Sequence, residues 1–207
     1  MVGGQRRDIV VVGASAGGVE ALQVLVGHLP ADLPVAVFVV LHIPSRGPRA
    51  LAAILNRAGP LPVLDALPGQ RPRRGTVMVA QPDRHLVFAN ARVHLSTEPA
   101  IDGHRPSIDL LFSSAASAFG DRVIGVVLSG SGDDGSDGLS AVAQAGGVAI
   151  VQDPEQAGQA SMPRQALLRL PTAIVCRVEA IGPLIASLAR ASPDEDDEPG
   201  TLRTITP

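Results

Sequence analysis

Short apolar runs alternate with amphipathic stretches through most of the chain, and this rhythm predicts strand-helix-strand units around a parallel sheet. The runs Ile9 to Val12, Val35 to Leu41, Val123 to Leu128, Val148 to Val151 and Ala173 to Cys176 are rich in β-branched residues. They lack polar alternation, as strands covered on both faces do. Between them, Gly18 to Leu29, Arg49 to Arg57, Ile108 to Phe119, Ser136 to Ala145, Pro163 to Leu170 and Glu179 to Ala189 predict helices, several with proline or glycine at an end. Residues 76 to 97 break the rhythm. The pieces VMVA and HLVFANARVHLS, with turn formers at Gln81-Pro82-Asp83 and Ala89-Asn90, predict a small antiparallel excursion. The expected architecture is α/β, a doubly wound, mainly parallel sheet with helices on both faces.

At 207 residues, 45% hydrophobic and 18% charged, one substantial core is the expectation. The division expected is a flexible start at 1–7, a catalytic domain at 8–190 and a disordered acidic tail at 191–207. The tail rests on the aperiodic string SPDEDDEPG. The longest apolar run, Val35 to Leu41, falls far short of the ~18 residues that span a bilayer, and the first residues carry no apolar signal region. A cytoplasmic protein without membrane insertion is expected. The single cysteine, Cys176, rules out an internal disulfide and a thiolate zinc site.

All 17 cationic side chains are arginine, which removes Schiff-base chemistry and the P-loop, since both need a lysine amine. Nine of these arginines fall between Arg46 and Arg105, against Asp65, Asp83, Glu98 and Asp102. That excess favours an acidic partner. Four phenylalanines without tyrosine or tryptophan leave little for stacking on bases, so nucleic acid is not expected.

Candidate chemistry collects where strands end. The first strand runs into Gly13-Ala14-Ser15-Ala16-Gly17-Gly18 and then a helix, the G-x-S-x-G pattern of a nucleophile on a tight strand-to-helix turn. Free N–H groups at the helix start could hold an oxyanion. A degenerate phosphate-binding turn explains the same string equally well. The second strand ends in Leu41-His42-Ile43-Pro44, which separates His42 from His28, His85, His94 and His104. A later strand runs into Ser129-Gly130-Ser131-Gly132-Asp133-Asp134-Gly135, whose aspartates could orient an imidazole or cap a helix. A calcium loop lacks the spaced ligands and terminal glutamate it needs there. Three strand ends bringing Ser, His and Asp to one rim form a more specific pattern than any one of them. The order Ser, His, Asp is not that of the α/β-hydrolases.

The strings GASAGG, LHIP, RPSIDLLF, GVVLSGSGDDG and SMPRQAL closely resemble the catalytic domain of the bacterial chemoreceptor methylesterases, the protein-glutamate methylesterases of chemotaxis. The resemblance covers roughly residues 8 to 190. It implies a triad of Ser15, His42 and Asp134, with Asp134 rather than Asp133 matching the family's aspartate. It also implies hydrolysis of γ-glutamyl methyl esters on chemoreceptor helices with release of methanol, and deamidation of receptor glutamines in many members. The chemistry expected from it uses the N–H of Ala16 and one near Ser131 or Gly132 as oxyanion donors, no metal and no cofactor. Arg105 falls in the HRPS block, as a candidate for positioning substrate. Members often carry threonine after the serine and methionine in an LTGMG turn, where this chain has Ala16 and Ser131. The commonest architecture puts a receiver domain before the esterase. With the first strand near Ile9 none is expected here; a separate regulatory protein is one partner this leaves open, beside the chemoreceptor helices. The rival readings are another small-ester or acyl hydrolase on the same scaffold and a catalytically silent receptor-binding module.

Overall fold

The computed structural model describes residues 6–42 and 50–191. The elements in chain order are β1 (Ile9–Ala14), α1 (Gly18–Gly27), β2 (Ala36–Leu41), α2 (Leu51–Asn56), β3 (Val63–Asp65), β4 (Thr76–Val79), β5 (His85–Ala89), β6 (Arg92–Ser96), α3 (Ile108–Phe119), β7 (Val123–Val127), α4 (Ser136–Gln144), β8 (Val148–Gln152), α5 (Ser161–Arg169), β9 (Ile174–Cys176) and α6 (Val178–Arg190). Seven strands form one sheet in the order β3-β4-β2-β1-β7-β8-β9, with every pairing parallel.

Three of the five apolar runs behave as expected of strands covered on both sides: β1, β2 and β7 are buried at every position. β8 follows them except at its first residue, Val148, whereas β9, at the edge of the sheet, leaves Ile174 and Val175 exposed. Alternate residues feed two cores. Val10, Val12, Val37 and Val39 pack with Leu22 and Leu25 of α1, Leu55 of α2 and Ile181 and Ile185 of α6. Ile9, Val11, Phe38 and Val40 face the other way, onto Leu111 and Phe112 of α3, Leu139 of α4, Met162 of α5 and Phe88 of the β5–β6 hairpin. Helices on both faces and an order that reverses about β1 make a doubly wound sheet, with its crevice at the carboxyl ends of β1, β2 and β7.

Two further parts of the sequence reading need correction. VMVA is not antiparallel: Thr76–Val79 is a fully buried strand pairing parallel with both β2 and β3. Four residues are too few for alternation to separate a half-buried strand from a buried one. The strand β3 escaped notice because it has three residues and its Leu64 is exposed. The antiparallel excursion is confined to β5 and β6, where Ala89 pairs with Arg92 across Asn90 and Ala91. Both of these have positive φ, at 50° and 54°, as a two-residue hairpin turn of the twist-matching kind requires. The expected start of α2 at Arg49 and the acidic stretch 192–207 lie outside the described residues.

Candidate active site

Register brings the first two candidates together. Ala14 is paired with Leu41, so Ser15 and His42 follow as neighbours at the carboxyl ends of β1 and β2. The His42 N–H donates to the Ala14 carbonyl at 3.0 Å, which carries the ladder one step beyond the strands. On the other flank Leu128 N–H donates to Gly13 O and Ser15 N–H to Ser129 O, at 2.9 and 3.0 Å. Ser15 is thus held in a backbone lattice while its side chain stands at the tip of the turn into α1.

That turn is tight for a stated reason. Gly17 has φ 69°, and a Cβ there would lie 2.8 Å from Ser129 Oγ. The Ser129 hydroxyl donates to Ala16 O at 2.8 Å and accepts from Gln159 N–H at 2.9 Å, while its own N–H donates to Gln152 Oε1 at 2.8 Å. Buried Ser129 and Gln152 therefore stitch the loops after β1, β7 and β8 together. Gly130 leaves the space in which they meet: a Cβ on it would fall 2.2 Å from Met162 Sδ and 2.9 Å from Ser15 Cβ.

The third candidate arrives from the loop after β7. His42 Nε2 lies 2.8 Å from Asp134 Oδ2, with both side chains more than nine-tenths buried. Asp134 sits at the start of α3, where Ile108 N–H donates to Oδ2 at 2.8 Å, Asp109 N–H to Oδ1 at 2.8 Å and Ser107 Oγ–H to Oδ1 at 3.1 Å. Burial alone would raise the Asp134 carboxyl. The hydrogen bond from His42 and the two helix N–H groups outweigh it and hold the carboxyl at about 2. Asp109 returns the favour, accepting from Gly135 N–H and Gly138 N–H at 3.0 and 2.6 Å where α4 begins. Its burial, with Asp134 beside it, pushes its own carboxyl up to about 6.

An ionised Asp134 accepts only, so His42 carries a proton on Nε2, and its neutral form presents a lone pair on Nδ1. Nδ1 is buried and makes no hydrogen bond among the described residues. A neutral imidazole with its Nε2–H held by a carboxylate and its other nitrogen unengaged, next to a strand-end serine, can act as a general base toward that serine.

The remaining candidates divide. Ala16, Ser131 and Gly132 are exposed around the Ser15 turn, and their N–H groups donate to no backbone or side-chain acceptor among the described residues. They are free to meet an oxyanion. Arg105 is committed elsewhere: its guanidinium donates to Asp83 Oδ1 and to the carbonyls of Thr97 and Glu98. That bracing role leaves the expectation of substrate positioning without support. Asp133 is exposed and offers its carbonyl to Ser136 N–H, so of the adjacent pair Asp134 is the one that reaches His42.

Sequence reasoning passed over Ser107, Asp109, Ser129, Gln152 and two histidines. His85 is fully buried, with Nδ1 accepting from Ser107 N–H and Nε2 donating to Pro99 O, and so fixes the residue that caps α3. His104 lies face to face with His42, ring centroids 3.9 Å apart and planes 12° from parallel. Nitrogens of His42 and His104 and an oxygen of Asp134 lie within 4.8 Å of one another, which is close enough to consider a metal. Stacked rings, however, point their in-plane lone pairs side by side rather than at a common centre. A polar residue closing an apolar strand, as Gln152 does, was the one available signal.

Comparison with known proteins gives the family. The family model described as CheB methylesterase matches residues 10–185. The chain is 35% identical over 195 residues to protein-glutamate methylesterase/protein-glutamine glutaminase 1 of Methanospirillum hungatei JF-1, covering 89% of this chain and 57% of that one. Against protein-glutamate methylesterase/protein-glutamine glutaminase 2 of Anaeromyxobacter dehalogenans 2CP-C it is 40% identical over 162 residues, 78% of this chain and 48% of the other. The chain spans about half the length of the curated relatives it matches. The crystal structure of the Thermotoga maritima CheB methylesterase catalytic domain superposes with a TM-score of 0.83 at 30% identity, covering 87% of this chain and 98% of that one.

Proposed function

The chain belongs to the CheB methylesterase family, and from that premise we propose that it is a serine hydrolase that demethylates γ-glutamyl methyl esters on chemoreceptor proteins. The observation that carries the reading is His42, bonded through Nε2 to Asp134 and set by strand register beside Ser15.

In this reading Ser15 Oγ attacks the ester carbonyl while His42 Nδ1 takes its proton. Asp134, held by neutral donors, stabilises the imidazolium that results. The N–H of Ala16, at the start of α1, and an N–H of the Ser131-Gly132 turn meet the oxyanion. Methoxide leaves poorly, so His42 returns the proton to it and methanol departs. Water, deprotonated by the same nitrogen, then releases the glutamate carboxylate and restores Ser15. A glutamine amide fits the same sequence with ammonia as leaving group, and we extend the proposal to deamidation. The proposed substrate is the cytoplasmic helical part of a chemoreceptor, which places the enzyme in the cytoplasm; no helix among the described residues is long and apolar enough to cross a membrane.

The test is methanol release from a receptor fragment carrying γ-glutamyl methyl esters, measured beside hydrolysis of a simple alkyl ester. Release from the fragment with little turnover of the simple ester is expected. The reverse preference would make the protein a general esterase, and silence toward both would make it a binding module.

A further inference from the structure

We propose that His104 is a positioning residue whose ring face holds the His42 imidazole in the plane that aims Nδ1 at Ser15; this rests on the esterase reading of the site. The hydrogen bond to Asp134 fixes His42 at one atom only. A ring held at Nε2 can still turn about the Nε2···O line, and such a turn swings Nδ1 out of register with the nucleophile. A flat surface 3.9 Å away and 12° from parallel opposes that rotation.

The rest of the geometry suits such a support. His104 is presented by a tight reversal in which Ile101 and His104 exchange backbone hydrogen bonds at 3.1 and 2.8 Å across Asp102 and Gly103, both at positive φ. The next residue, Arg105, is tied to Asp83 and to the carbonyls of Thr97 and Glu98. The platform is therefore anchored on both sides of His104. Its Nδ1 is buried without a hydrogen-bond partner among the described residues, so the contact on view is made by the ring face rather than by that nitrogen. When His42 takes the serine proton, an aromatic face against the new cation is favourable, whereas an aliphatic residue would offer neither the plane nor the π-density.

The face, not the imidazole nitrogens, is the functional part, and that separates the outcomes. His104→Ala should lower kcat for methyl-ester hydrolysis by roughly 10- to 100-fold, the scale on which small misplacements of a catalytic group act, with KM within about twofold. His104→Phe, which keeps a flat ring, should stay within about threefold of the wild type in kcat. A second readout needs no substrate: the far-downfield proton shared by His42 Nε2 and Asp134 should be seen by NMR in the wild type and His104→Phe, and broaden or vanish in His104→Ala. Should the alanine variant not fold, His104→Leu, bulky but without a flat face, takes its place with the same expectations. Unchanged kcat and an intact proton signal in the folded Ala or Leu variant would overturn the proposal. A His104→Phe variant as slow as His104→Ala would overturn it too, by giving the role to a ring nitrogen. If the wild type itself releases no methanol, the esterase reading fails, and the proton signal alone still decides whether His104 holds His42.

Discussion

Two buried aspartates at opposite rims of one sheet show how the same side chain is suited either to brace the fold or to the part proposed for it in the reaction. At the amino end of β1, Asp8 is met by two arginines: Arg122 donates through Nε and Nη2 at 2.9 Å each, and Arg74 through Nη2 at 3.1 Å. Its charge is answered by full cations, and what results is a clamp joining the segments before β1, β4 and β7. At the carboxyl rim, Asp134 is met by two backbone N–H groups, one hydroxyl and the N–H of His42. Those donors keep the carboxylate ionised without neutralising it. Its unanswered charge is therefore available to a proton arriving on His42. Burial is similar at both sites; the partners decide the role.

The largest effect that could break this contrast is a pair of matched substitutions. Asp134→Asn should lower kcat on the order of 10⁴-fold, the scale seen when the orienting aspartate of a serine protease is replaced. Asp8→Asn should leave kcat within about twofold and lower stability instead, by about 1.5–3 kcal/mol as charged hydrogen bonds weaken. Steady-state kinetics and urea unfolding on both proteins check this, and equal losses of kcat would erase the distinction between the rims.

Gly130→Ala comes next in size. Its new methyl would have to displace Met162 Sδ, now 2.2 Å from that position, and crowd Ser15. Overpacking of this kind is expected to destabilise by about 1–3 kcal/mol, and displacement of Ser15, the proposed nucleophile, to lower kcat by roughly 100-fold. Met162→Ala in the same chain should recover part of both losses, which a thermal melt and an activity assay would read.

The smallest effect is in pH and sharpens the electrostatics of the carboxyl rim. Between 3.8 and about 6 the folded chain keeps a proton on Asp109 that the unfolded chain has released, so stability should fall as pH rises through that window. Asp134 has the opposite sign: with its folded carboxyl at about 2, its contribution is complete above 3.8 and is lost as pH falls toward 2. Asp109→Asn, which can still accept from Gly135 and Gly138, should flatten the decline between pH 4 and 6. Urea midpoints across that range for both proteins decide it, and parallel curves would contradict the assignment of the raised carboxyl to Asp109.

The parts of this molecule that were legible in the sequence are those written in continuous runs. The long β-branched strands and the helices between them declared the parallel sheet, and small-residue turns after β1 and β7 marked the rim where the candidate site lies. Ser15, His42 and Asp134 stand where those runs end, which is why they could be named, although choosing Asp134 over Asp133 needed the family resemblance. What escaped was settled by tertiary contact. Whether VMVA pairs parallel or antiparallel depends on which strand lies beside it, and four residues carry no record of that. Ser107 and Asp109 could be quoted as part of RPSID, yet their reciprocal capping with the Asp134 loop joins segments 25 or more residues apart. His104 looked like one histidine among several until the fold laid it on His42. Arg105 shows the converse, since a candidate for substrate proved to be held by Asp83.

The most direct test of the central claim is methanol release from a γ-glutamyl methyl ester receptor fragment by the wild type and by Ser15→Ala, each shown to be folded by the same circular dichroism spectrum. Steady release by the wild type and release at the uncatalysed rate by Ser15→Ala is the result predicted. Equal release by the two proteins would remove Ser15 from the chemistry, and with it the role assigned to the His42–Asp134 pair.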